Sequence, residues 1–288
     1  MPDSDKYPVE SDRRRFVKGV VGSAALSGIG VTTAVSLDSM TSHTGEGGGT
    51  TLYRGNERIA GPAPRGMPQI PLEVDDEGYV RGIWPEVEEG GPNEAPVAEQ
   101  EIGGVTYSTE WYQYCGSQTS PAVDPREDRD NYFRYIGASQ YDWQNEQVEG
   151  GDRVHIDDFE DYEDFNTSVG ESGIGKGALV SWRSQGLSPG DRLTVLLIRS
   201  TQVEEAAQND EWVEASTDQA FIANLNQCTH YCCVPGFRVL GEARQFDAQD
   251  NIYCNCHQSV YDPFSITQQQ YTALPREGTS VIPSEYRE

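Results

Sequence analysis

Five of the six cysteines fall within residues 228–256, in two short clusters that each contain a histidine. The first reads Cys228-Thr229-His230-Tyr231-Cys232-Cys233, followed by Val234-Pro235-Gly236. The second reads Cys254-Asn255-Cys256-His257-Gln258-Ser259-Val260-Tyr261. Cys and His both donate to borderline-soft metals, and donors two or three residues apart on a tight turn can converge on one point. The chain has only four histidines, so chance is a poor explanation for two of them sitting inside cysteine clusters.

Three arrangements satisfy these donors. A zinc site would use four of them in a tetrahedron, but finger-type spacings run Cys-x2-Cys, whereas the first cluster opens Cys-x-His. A purely disulfide framework suits an exported protein, yet it leaves both histidines without a role. A two-iron, two-sulfide centre with two Cys ligands on one iron and two His ligands on the other fits best. Cys228-x-His230 and Cys254-x2-His257 each supply one donor of each kind, and Cys233 and Cys256 remain to staple the loops together.

At these residues the chain resembles the Rieske iron–sulfur protein family, in its high-potential branch from cytochrome bc and related quinol-oxidising complexes. That family's boxes read Cys-Thr-His-x-Gly-Cys and Cys-x-Cys-His-Gly-Ser-x-Tyr, and the resemblance covers roughly residues 177–275. It implies one 2Fe-2S cluster held by Cys228, His230, Cys254 and His257, and a disulfide between Cys233 and Cys256. It also places Ser259 and Tyr261 as hydroxyl donors to the cluster sulfurs. The fold it implies is mainly β: an antiparallel β-sandwich head with a cluster-binding subdomain at about 226–264, an N-terminal transmembrane helix and a flexible linker. Within the head, Gly177 to Trp182 and Leu193 to Ile198 read as paired strands. Val203 to Gln208 reads as a short helix, and Gln219 to Leu225 as a further strand.

Two positions depart from the family's boxes. Cys232 stands where the first box has Gly, and Gln258 where the second has Gly. Glycine in such a loop usually supplies a positive φ or a close backbone approach, so the loop must differ or carry strain. An extra thiol outside the cytoplasm rarely stays free, and the remaining cysteine is Cys115, so a second disulfide between Cys115 and Cys232 is expected. Gly61-Pro62-Ala63-Pro64 is similar to a proline loop that family members carry after the second box. Its place far upstream, in an expected linker, points to coincidence.

The first forty residues carry their own signal. Arg13-Arg14-Arg15-Phe16-Val17-Lys18 precedes nineteen uncharged residues, Gly19 to Leu37, which looks like a twin-arginine export signal. At about 1.5 Å per residue that run is close to the ~30 Å thickness of a bilayer core, so it can also serve as a single span. The basic cluster before it leaves the N-terminus in the cytoplasm and the rest extracytoplasmic, tied to the cell membrane. Residues 1–37 are thus read as signal and anchor, 38–100 as an acidic, Gly- and Pro-rich tether, and 101–288 as the head.

Composition excludes other classes. With 47 acidic against 21 basic residues the net charge is −26, which excludes nucleic acid as a partner. Lysine occurs only at Lys6, Lys18 and Lys176. Carboxylates hold water and cations strongly, so this balance resembles proteins of salt-loving archaea and predicts loss of stability at low salt. The run from Asp157 to Asp164 lacks an EF-hand loop and reads as hydrated surface. His43 and His155 read as bystanders. The implied function is electron transfer from quinol to a cytochrome or blue copper acceptor, beside a cytochrome b-type membrane subunit, with His230 and His257 taking the proton. A cytochrome b and Rieske pair feeding a nitrate reductase is an alternative. A soluble Rieske ferredoxin or oxygenase component is another, against which the extra cysteines and the export signal speak.

Overall fold

The computed structural model describes residues 50–88 and 97–276. The signal and anchor expected over 1–37, and His43, lie outside the described residues. Among the described residues no helix is long and apolar enough to cross a membrane.

The described chain is mainly β, and every strand pairing is antiparallel. Strand β1 (Thr50–Ala60) is followed by the short strands β2 (Gln69–Ile70), β3 (Leu72–Val74), β4 (Val80–Gly82) and β5 (Val87–Glu88). Then come β6 (Val97–Ile102), β7 (Val105–Ser108) and β8 (Arg134–Tyr135). The remaining strands are β9 (Lys176–Trp182), β10 (Leu193–Arg199), β11 (Phe221–Leu225), β12 (Gly236–Phe237), β13 (Ile252–Cys254) and β14 (Ser259–Thr272). They form a four-stranded sheet in the order β1-β14-β13-β12 and a five-stranded sheet in the order β2-β11-β10-β9-β8. A β3-β4 hairpin and a β5-β6-β7 meander complete the set.

The expected strand pair of Gly177 to Trp182 with Leu193 to Ile198 is present as β9 and β10. Both are near-continuous apolar runs buried on both faces, as central strands must be when covered on each side. Between β10 and β11 the chain makes helices α2 (Thr201–Ala207) and α3 (Glu211–Ser216), following α1 (Asp142–Gln147). Ser200 caps α2 by accepting from the Gln202 amide, and Asp210 caps α3 by accepting from Trp212 and Val213. These caps satisfy amides that have no partner inside the helix. The strand expected from Gln219 starts only at Phe221, because Gln219 and Ala220 both have left-handed backbone that breaks the pleat.

Over residues 50–88 and 97–100 the linker expected over 38–100 is folded chain, and the head does not begin at 101. Strand β1 pairs with β14 along its length, from Thr50 opposite Thr272 to Ala60 opposite Val260. Tyr53 in β1 is buried and stacks edge-on against Tyr271 and Trp111. The glycines and prolines here serve close approaches rather than flexibility. A Cβ on Gly66 would lie 1.6 Å from the Asn56 carbonyl oxygen, so only glycine fits.

Residues 109–123, whose fold the sequence leaves open, are three turns of 3-10 helix. They carry Trp111 and Tyr112 into the aromatic core, beside Tyr53, Tyr107, Trp182 and Trp212. The acidic run is solvated as expected, with Asp157, Glu160, Asp161, Glu163 and Asp164 all exposed, and two of its carboxylates also reach back to the fold. Asp161 pairs with the buried Lys176, and Asp158 accepts from Tyr135. His155 is far from both cysteine clusters in sequence and caps a helical turn, its Nδ1 accepting from the Asp157 amide.

Candidate redox site

Both cysteine clusters hang from one end of the four-stranded sheet. The second is the turn of the β13–β14 hairpin: Cys254 is registered opposite Ser259, and the Gln258 amide closes the turn onto the Cys254 carbonyl at 2.8 Å. Side chains alternate along a strand, so Ser259 and Tyr261 share the face of this hairpin that carries Cys254. The first cluster is the loop between β11 and β12. Its backbone closes on itself, with Cys232 donating to the Cys228 carbonyl at 2.8 Å and Cys228 to the Cys233 carbonyl at 2.7 Å. The Asn226 side chain donates to the Pro235 carbonyl and pins the base of the loop.

Strand pairing between β12, β13 and β14 brings the two loops together, and two disulfides lock them. Cys233 is bonded to Cys256, joining loop to loop, and Cys115 to Cys232, joining the first loop to the 3-10 segment. The same segment holds the first loop by hydrogen bonds: Tyr114 donates to the Gln227 carbonyl, and Gln227 donates to the Cys115 carbonyl. At the two positions where the family's boxes carry glycine, the backbone keeps a positive φ, 61° at Cys232 and 61° at Gln258. The chain therefore adopts a glycine-type conformation with bulkier residues and stores strain there, of order 1–2 kcal/mol each.

Only Cys228 and Cys254 remain free, and both are buried. The two thiols influence one another: their interaction holds Cys228 below the usual thiol range and, together with burial, pushes Cys254 above it. The Tyr261 hydroxyl lies 3.1 Å from the Cys228 sulfur and is itself held protonated by burial and by that contact. The imidazoles of His230 and His257 meet edge-on, with ring centroids 4.7 Å apart. His230 Nδ1 is buried and has no hydrogen-bond partner, while His257 is exposed. An orphaned ring nitrogen under the surface is a donor atom awaiting a partner. Tyr231, 67 % exposed, packs against both rings.

The donor set thus divides into two pairs, sulfur with sulfur inside and nitrogen with nitrogen outside. Among the described residues, the one trio of potential ligand atoms within 4.8 Å of one another is Cys233, Cys254 and Cys256. Two of these are consumed by a disulfide, so that trio holds no metal while the bridge is intact. Cys228, His230, Cys254 and His257 do not converge so closely, whereas a single tetrahedral zinc, with bonds of about 2.0–2.3 Å, requires its ligands to.

A third segment completes the site, and the sequence had pointed to coincidence for it. After β1 the strap Gly61-Pro62-Ala63-Pro64-Arg65 runs across both clusters. The Ala63 amide donates to Ser259 Oγ at 3.2 Å, and Thr229 Oγ1 donates to the Arg65 carbonyl at 2.5 Å. A Cβ on Gly61 would lie 2.4 Å from the Gln258 carbonyl oxygen, and its φ of 87° is itself left-handed. The Gly-Pro-Ala-Pro pattern was visible in the sequence; the pairing of β1 with β14 that delivers it was not.

The chain matches no family model, no curated protein and no solved structure.

Proposed function

We propose that this chain is a Rieske-type iron–sulfur protein, the electron-transfer subunit of a membrane quinol-oxidising complex. The observation that carries the reading is the division of four donors into a buried sulfur pair and an outward imidazole pair, which suits two metal positions rather than one. Cys228 and Cys254 would hold one side as thiolates, His230 through Nδ1 and His257 the other. A two-iron, two-sulfide cluster held in this way supplies a one-electron oxidant at about −150 to +300 mV, within reach of quinol.

The chain's own residues do the rest. Burial of Cys228 and Cys254 to 2 % and 1 % exposure excludes water from the sulfur side. His230 Nε2 and the exposed ring of His257 are left to accept a hydrogen bond from a quinol hydroxyl and then hold its proton. The hydroxyls of Ser259 and Tyr261, both fully buried, are placed to stabilise negative charge on sulfur.

The surface supports a partner that is apolar at the point of contact. In a chain with 47 acidic residues, the three segments forming the site, 58–72, 219–241 and 251–261, contain none. Exposed Ile59, Tyr231 and Val234 lie within them. Such a patch on a highly acidic protein suits a membrane subunit of cytochrome b type better than a soluble charged one. A cytochrome or blue copper protein would then accept the electron.

The test is an electron paramagnetic resonance spectrum of the dithionite-reduced full chain, with iron and acid-labile sulfide measured on the same sample. A signal of mixed nitrogen and sulfur ligation, with two irons and two sulfides per chain, is expected. Stoichiometric zinc without sulfide would overturn the reading.

A further inference from the structure

We propose that the Cys115–Cys232 bridge is a thiol-exchange site: a small amino-acid thiol docks beside it and opens it reversibly, with Cys232 as the sulfur attacked. Neither cysteine belongs to the four candidate ligands, so the bridge can open whatever those ligands hold. Cys232 is exposed and Cys115 half-buried. Both are held in left-handed backbone, φ 55° at Cys115 and 61° at Cys232, whereas neither Cys233 nor Cys256 is. Disulfides that are exposed and set in strained backbone are the ones that exchange readily.

The bridge forms part of the wall of a cleft of about 250 Å³, which it shares with Gly116, Gly190, Asp191 and Arg192. Cys233 and Cys256 do not line it. Apart from chain neighbours, no heavy atom lies within 4 Å of where a Cβ would sit on Gly116 or Gly190, so neither position narrows the cleft. The exposed Asp191 and Arg192 are held in place: Asp191 accepts from Ser188 Oγ at 2.6 Å, and Arg192 Nε donates to the Leu187 carbonyl at 3.0 Å. One anion and one cation side by side match the ammonium and carboxylate of an amino acid better than they match an apolar thiol.

The incoming thiolate attacks Cys232 Sγ and forms a mixed disulfide. The Cys115–Cys232 bond breaks as it does so, and Cys115 leaves with the electron pair and takes up a proton. A second small thiol attacking the mixed disulfide leaves both cysteines reduced and the two small thiols joined as their own disulfide. Opening is local, because three hydrogen bonds still hold the segments together. Tyr114 donates to the Gln227 carbonyl at 2.8 Å, Gln227 Nε2 to the Cys115 carbonyl at 3.1 Å, and Ser117 Oγ to Gln227 Oε1 at 2.8 Å. Cys115 therefore stays beside the loop and can displace the small thiol again.

The oxidised, folded, full-length protein is incubated with free cysteine in molar salt, quenched with iodoacetamide and mapped by peptide mass spectrometry. A cysteinyl adduct on Cys232 with Cys115 alkylated is expected, at thiol concentrations that leave Cys233–Cys256 closed. Gly190→Trp projects into open space and fills the cleft. It should slow opening by free cysteine about tenfold or more, and leave opening by hydrosulfide, too small to need the cleft, within roughly twofold. An adduct on Cys115, simultaneous opening of both bridges, or no reaction in the folded chain overturns the proposal. So does a Gly190→Trp variant that opens with cysteine at the wild-type rate or slows both reagents alike.

Discussion

Replacing Cys115 by Ser and Cys232 by Gly removes the second disulfide and restores glycine at a left-handed position. The bridge closes 117 residues. In the chain-entropy model its loss costs about 5 kcal/mol through the freedom returned to the unfolded chain. Against this, Cys232 has φ 61°, and glycine relieves roughly 1 kcal/mol of backbone strain there. The net loss is about 4 kcal/mol, or roughly 8–16 °C in melting temperature for a domain of this size. The companion bridge, Cys233 to Cys256, closes only 23 residues, worth about 3.4 kcal/mol on the same model. The two spans abut at Cys232 and Cys233 without overlapping, so the two losses should add. Urea unfolding of the oxidised protein in molar salt measures both, with thiol titration to verify which bridge is open. A loss below about 1 kcal/mol for the Cys115→Ser, Cys232→Gly variant would refute the reasoning. It would mean that hydrogen bonds such as Tyr114 to the Gln227 carbonyl hold the loop unaided.

Three further outcomes follow from the structure. If the proposed iron–sulfur cluster is bound, Ser259→Ala should lower its midpoint potential by on the order of tens of millivolts, since a hydroxyl there would favour the more negative reduced sulfurs; equal midpoints in voltammetry would contradict it. At Asp124, burial opposes ionisation, but hydrogen bonds from Arg126 and the charges of Arg276 and Arg126 outweigh it and hold the carboxyl at about 2. A depressed carboxyl stabilises the fold above its unfolded value of about 3.9 and loses that contribution as pH falls towards 2. The stability gap between wild type and Asp124→Asn should therefore close across that window in pH-dependent urea melts, and a constant gap would exclude the mechanism. With a net charge of −26, the melting temperature should fall from molar salt to dilute buffer as screening is lost, and an unchanged value would count against self-repulsion.

The candidate donors were legible in the sequence because their arrangement is local. The Cys and His residues of Cys228–Cys233 and Cys254–Tyr261 lie on two turns, and a turn of a few residues places its side chains with little help from the rest of the chain. The β9 and β10 pair was readable for the same reason, since a continuous apolar run declares a buried strand. The partner of Cys232 could be reached by counting, because only Cys115 was left.

What tertiary structure alone decided is everything that depends on long-range pairing. Composition made residues 50–88 look like tether, since glycine and proline are equally the residues of flexible chain and of tight backbone contact. Only the register of Thr50–Ala60 against Ser259–Thr272 distinguishes the two. That pairing turns a Gly-Pro-Ala-Pro stretch into a strap across the site. At Cys232 and Gln258 the sequence left two choices, a different loop or a strained one, and only the tertiary structure settled on the left-handed backbone, because the surrounding disulfides and strands override the preference of residue type.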